Sequence, residues 1–187
     1  MMEIKGTTLK TTEGFVKSKY PQGYNSWINS LPKEIADYYN NGILVANWYP
    51  IIEAVIFPTK KIGELFYNNN YKKAAFDVGY YSAIESLNGI YKIFVKVASI
   101  DFVLKRSTAI FSTFYKTGVL EIIDSTKDKV ILKATGFRKE EIEIFDRITG
   151  WIKGIFDTIS TKNFQVTYKI EDKANGFVET IFLSKWT

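Results

Sequence analysis

The chain has 187 residues, 25 Lys and Arg against 20 Asp and Glu, a formal charge of +5, and neither cysteine nor histidine. That length suits a single domain, residues 1–187, with a core of its own. The two missing residue types exclude disulfides, cysteine-ligated zinc, iron–sulfur clusters, thiol nucleophiles and the usual imidazole base or metal ligand.

The opening segment Met1-Met2-Glu3-Ile4-Lys5 lacks a basic stretch followed by an apolar one. Every later apolar run is broken by charge before the roughly 20 residues of a spanning helix. The expectation is a soluble, cytoplasmic chain without a transmembrane segment. Prolines and glycines are scattered, so no linker or low-complexity segment divides it.

Residues 2–7 read as a short strand or arm, and Thr11 or Thr12 caps a short helix ending near Tyr20-Pro21. Asn25 or Ser26 starts a turn towards Leu31. Pro32 opens a helix that carries Ile35, Ala36, Tyr38 and Tyr39 and stops at Asn41-Gly42. Asn47 caps a further helix in which Pro50 is an opening residue, Ile51, Ile52, Val55 and Ile56 recur at helical spacing, and Pro58 bends or breaks the run. Its continuation ends in Asn68-Asn69-Asn70.

A helix is predicted over about 71–87, with Gly79 marking a close helix contact; Asn88-Gly89 interrupts it and Ile90–Phe94 restart it. Ser99 caps a helix reaching Lys116, and Gly118 ends it. The periodicity then falls to two. Strands are predicted at about 118–124, 129–135, 163–171 and 177–186, with Asn175-Gly176 as a turn. Between the hairpins, residues 138–160 form an amphipathic helix with Phe145, Ile148, Ile152, Ile155 and Ile159 on its buried side. The fold class is α+β: a helical N-terminal half on a four-stranded antiparallel sheet, with a long helix between the two C-terminal hairpins.

The charge is uneven. Nine basic residues from Lys60 to Lys116 face four acids, Glu64, Asp77, Glu85 and Asp101. Solvated lysines on a helical layer explain this better than nucleic-acid binding. Glu140, Glu141 and Glu143 suit the positive end of a helix rather than acid–base chemistry. Asp124 and Asp128 lack calcium-loop spacing, and Ser99 and Ser107 have no nucleophile-activating pattern around them. Gly150-Trp151-Ile152-Lys153-Gly154 falls inside a helical period, so it is no phosphate loop; its glycines permit close helix packing, and Trp151 serves either the core or a pocket wall.

The positive signal is aromatic. Fourteen Phe, twelve Tyr and four Trp are present, and rings on helices above a sheet either fill a core or line a cavity. The candidate ligand-binding residues are Trp48, Phe57, Tyr80, Tyr91, Phe94, Phe111 and Trp151.

Trp48-Tyr49-Pro50, Ala75–Tyr80 leading to Gly89-Ile90-Tyr91, Phe111–Gly118, Gly150–Gly154 and Phe177–Trp186 occur in an order and spacing that resembles the 4-vinyl reductase-like small-molecule-binding domains, in particular a myxobacterial-paralogue subfamily. The resemblance extends distantly to haem nitric-oxide-binding and vesicle-tethering (TRAPP-type) domains. It implies binding or sensing of a small hydrophobic molecule, a homodimer, and a separate signalling partner. Because the haem sensors of that wider group need a proximal histidine, the expectation is a module free of metal, haem or other cofactor. A structural or protein-interaction module with a closed core is the alternative, and an enzyme using carboxylate, tyrosine or lysine chemistry the less favoured one.

Overall fold

A computed structural model describes residues 1–88, 100–158 and 163–187. The helical half begins with strand β1 (Glu3–Lys5) and helix α1 (Gly6–Lys19), followed by α2 (Tyr24–Asn29) and α3 (Lys33–Asn40). After strand β2 (Trp48–Pro50) come a π-helical turn (Ile52–Ile56), α4 (Phe57–Phe66), α5 (Tyr71–Asn88) and α6 (Ile100–Phe114). The other half holds β3 (Val119–Ser125), β4 (Lys129–Arg138), α7 (Ile144–Thr158), β5 (Gln165–Asp172) and β6 (Phe177–Lys185).

Strands β3 to β6 form an antiparallel sheet in the order β3-β4-β6-β5. The α+β class and the helix between the hairpins are as the periodicity predicts. On β4 and β6 alternate residues, Val130, Leu132, Ala134, Val178, Thr180 and Phe182, are buried under the helices. Phe137 continues that face after a register shift and packs edge-on against Phe145 of α7, 5.0 Å between ring centroids. At about 1.5–3 kcal/mol for each large apolar side chain fully buried, this layer anchors α7 to the sheet. The turn before β6 places Asn175 and Gly176 in the left-handed region, at φ 59° and 76°, a conformation these two residue types tolerate.

Several local expectations are corrected. Helix α1 starts at Gly6, well before Thr11, and no side chain caps it. The Gly6 N–H instead donates to the distant Asn47 carbonyl at 2.9 Å, so a tertiary contact satisfies an end that would otherwise need a local cap. Trp48-Tyr49-Pro50 is a strand rather than a helix start, because β1 pairs with it antiparallel, Lys5 opposite Trp48. The helix assigned to 138–160 begins at Ile144, since β4 runs on through Arg138. There Glu141 is fully buried, accepting the N–H groups of Met2 at 2.7 Å and Arg138 at 2.8 Å.

At Pro58 the run changes rather than ends: the π-helical turn stops at Ile56, and Pro58 lies in the first turn of α4. It has no N–H for the Ala54 carbonyl four residues back. The Tyr39 hydroxyl supplies the missing donor at 2.7 Å, and Trp27 Nε1 donates to the Pro58 carbonyl at 3.0 Å. Those two rings pack edge-to-face, 4.9 Å apart, and lock α2 and α3 onto the π-helical turn.

Helices α5 and α7 cross at glycines. A Cβ on Gly150 would lie 1.9 Å from the Phe76 carbonyl oxygen, and one on Gly79 would lie 2.0 Å from that of Arg147. Only hydrogen fits there, so the two backbones touch, as the glycine pattern predicts. The restart at Ile90–Phe94 and the Ser99 cap lie outside the described residues.

Candidate functional site

Close packing of α5 on α7 leaves α7 interior on two sides: its apolar stripe meets the sheet, and Arg147 turns towards α1 and α5. Arg147 is only 4% exposed. Its Nη1 donates to Thr12 Oγ1 at 2.8 Å, and its Nη2 to Ser82 Oγ at 3.0 Å, the Thr8 carbonyl at 3.2 Å and Thr11 Oγ1 at 3.3 Å. Every acceptor is neutral. Burial pulls the guanidinium down to about 10, partly offset by the buried phenols of Tyr115 and Tyr39; it remains cationic at neutral pH.

A cavity of about 60 Å³ lies beside this group. Thr7, Thr8 and Thr11 of α1 and Ser82 and Ser86 of α5 supply hydroxyls to its lining; Arg147, Ile148 and Trp151 come from α7. Phe111 and Phe114 of α6, with Tyr115 just beyond, complete an aromatic wall. Phe111 stacks on Tyr115, centroids 4.4 Å apart, and Phe114 meets Trp151 edge-on at 6.3 Å. Burial pushes the Tyr115 phenol well above its ordinary range, with Arg147 offsetting part of that rise, so its oxygen stays protonated. The buried Thr7 Oγ1 has no hydrogen-bond partner.

Of the residues proposed from sequence, Phe111 and Trp151 meet at this cavity. The others that are described stand elsewhere. Trp48 lies on β2 with Lys5 Nζ 4.3 Å from its ring centroid. Phe57 lies on α4 under Lys61, 5.5 Å away. The Tyr80 hydroxyl donates to Asp157 at 3.2 Å, holding α5 to α7 at the surface. Tyr91 and Phe94 lie outside the described residues. Sequence reasoning missed Arg147, Thr7 and the hydroxyl cluster, because it assigned one buried face to a helix that has two. Among the described residues no acidic cluster could hold a metal ion, and no helix is long and apolar enough to cross a membrane.

No protein-family model matches the sequence, and no curated protein matches it. Solved structures match across nearly its whole length. An H-NOX family protein solved to probe the function of heme distortion superimposes with a TM-score of 0.75 at 17% identity, covering 98% of this chain and 95% of that one. An oxygen-binding H-NOX domain related to soluble guanylate cyclases, in its oxygen complex, gives 0.72 at 16% identity, covering 98% and 95%. A variant of the T. tengcongensis H-NOX domain gives 0.72 at 16%, covering 98% and 97%.

These matches establish the fold and overturn two expectations. The chain has the H-NOX fold, not that of a 4-vinyl reductase-like or vesicle-tethering domain. Treating the haem nitric-oxide-binding domains as distant kin, and the chain as a haem-free binder of hydrophobic molecules, is corrected with it: the structures that superimpose are H-NOX proteins, one solved to probe heme distortion and one an oxygen-binding domain.

The residues around the described cavity do not fit a haem. At about 60 Å³ the space is well below the roughly 300–1,000 Å³ of pockets that enclose drug-sized ligands. The sequence offers no imidazole or thiolate for iron. The phenol in the lining, Tyr115, is held neutral by burial. The H-NOX structures matched include one solved to probe heme distortion, whereas this donor set does not supply an iron's usual ligands.

Proposed function

We propose that the chain is a non-catalytic small-molecule sensor domain built on the H-NOX fold, with its ligand site in the cavity lined by α1, α5, α6 and α7. The observation that carries this reading is the place of the cavity: three helices of the helical half, α1, α5 and α6, and α7 of the sheet half contribute to its wall, and a buried cation stands beside it. A molecule entering there touches α7, which packs on both α5 and the sheet. Occupancy can therefore shift the helical half relative to the sheet, which is what a sensor needs in order to be read by a separate partner. The hydroxyls and Arg147 orient the guest, and the Phe111, Phe114 and Trp151 rings exclude water from it. Among the described lining residues no titratable constellation is arranged for acid–base or nucleophilic work.

Native mass spectrometry of the purified chain, with thermal melts in the presence of hemin, small carboxylates, alcohols and neutral aromatics, tests the reading. A ligand selective for the folded state stabilises it by about 2.7 kcal/mol at a hundredfold excess over Kd, and Trp151→Ala, which opens the wall, is expected to change the ranking of compounds. No bound molecule, no melting shift with any compound, and no difference in Trp151→Ala would refute it.

A further inference from the structure

Beside the cavity stand two groups that lack what they would ordinarily have. Arg147 is a buried cation whose four hydrogen bonds all end on uncharged oxygens, and among the described residues no carboxylate lies within salt-bridge distance of it. A buried cation is ordinarily paired with an anion, because neutral dipoles compensate its lost hydration only in part. Thr7, across the same lining, keeps a buried hydroxyl with no partner at all. Buried hydroxyls are ordinarily satisfied, so an orphan one at a cavity wall marks a missing acceptor or donor. Both deficits are met by one guest that brings negatively charged oxygens.

Among the described residues, the other side of the lining is apolar. Phe111, Phe114, Ile148 and Trp151 offer no charge to a guest, so a purely inorganic anion leaves that wall without contacts. At 10–15 Å³ for a single water, about 60 Å³ holds a molecule of only a few heavy atoms. We infer that this cavity is a binding site for a short aliphatic monocarboxylate, whose carboxylate lies between Arg147 and the Thr7 hydroxyl and whose alkyl end meets the Phe111–Trp151 wall. This deepens the sensor reading and rests on it: the cavity must be the ligand site for its guest to be a carboxylate.

Propionate is the probe, titrated calorimetrically into the full chain, with propionamide as its neutral isostere and nitrate as the inorganic anion. The expected result is one saturable site per chain for propionate. Propionamide and nitrate are expected to bind at least about 10-fold more weakly, the first for want of a charge-assisted hydrogen bond and the second for want of apolar contact. Arg147→Met is expected to raise Kd by about 10- to 100-fold and Thr7→Val by about 3- to 10-fold. If Arg147→Met does not fold, Thr7→Val and the three wild-type titrations decide the matter. Propionamide or nitrate binding as tightly as propionate would overturn the assignment. So would propionate failing to bind while hemin or a neutral compound raises the Tm of wild type but not of Trp151→Ala, an outcome that leaves the sensor reading intact. A chain that binds none of these compounds would overturn both.

Discussion

Gly150→Ala tests the contact that places Arg147. The new Cβ would lie 1.9 Å from the Phe76 oxygen and 2.7 Å from the Phe76 carbonyl carbon. Both are backbone atoms, so no side chain can swing aside; ordinary contact requires α5 and α7 to separate by about 1.5 Å at this point. Overpacking of a close-packed interior costs about 1–3 kcal/mol, and more where the backbone must move. Alanine recovers up to ~1 kcal/mol of helix propensity. A net loss of about 2–4 kcal/mol is expected, which for a chain of this size lowers Tm by roughly 5–15 °C. Urea melts followed by circular dichroism measure it. Gly176→Ala is the comparison: nothing lies within 4 Å of its Cβ position, and its φ of 76° is the sole source of strain, so about 1 kcal/mol is expected. If Gly150→Ala equals or exceeds wild-type stability, the helices do not meet at their glycines and the geometry around Arg147 is wrong.

Tyr39→Phe removes the hydroxyl that donates to the Ala54 carbonyl beside Pro58; a loss of about 0.5–1.5 kcal/mol in urea melts is expected, and a neutral result would show that the π-helical turn does not depend on it. Thr180→Val on β6 removes a fully buried hydroxyl that has no partner, so the variant should match or exceed wild type by up to about 2 kcal/mol; a clear loss would reveal a hidden acceptor. Burial raises the Glu13 carboxyl, but hydrogen bonds from Lys10, Lys17 and Tyr24 outweigh it and hold the group below its ordinary 4.5. Its stabilisation is therefore present above about pH 4.5 and is lost as pH falls through the lower folded-state value. Stability–pH curves for Glu13→Gln should lack that part of the acid limb, and an unchanged limb would contradict the assignment.

The sheet was legible in the sequence because its signals are local: alternation on β5 and β6 and the Asn175-Gly176 turn decide a hairpin without help from distant residues. Helix α1 and strand β2 were not, because what satisfies them lies far off in the chain. The Gly6 N–H needs Asn47, and Trp48 needs Lys5 opposite. At the candidate site the rings were half legible. Phe111 and Trp151 face one cavity, yet Trp48, Phe57 and Tyr80 are equally aromatic and lie elsewhere, since ring content carries no direction. Arg147 draws no notice within the amphipathic helix expected at 138–160, whose buried side is read from its apolar residues alone. The signal that it is interior was present in Gly150 and Gly154 of α7, which with Gly79 of α5 mark a second packed face, but joining Gly150 to the cation three residues before it requires knowing which helix they meet. The family assignment failed for a related reason: short aromatic and glycine signatures are shared by packing needs, whereas the whole-chain superposition at 16–17% identity depends on topology.

The most direct measurement is a crystal structure of the wild-type chain soaked with 3-bromopropionate, with anomalous scattering used to place the bromine. A bromine peak is expected in the cavity against Phe111 and Trp151, with the carboxylate on Arg147 and Thr7. A cavity holding only water, with bromine elsewhere or nowhere, would contradict it.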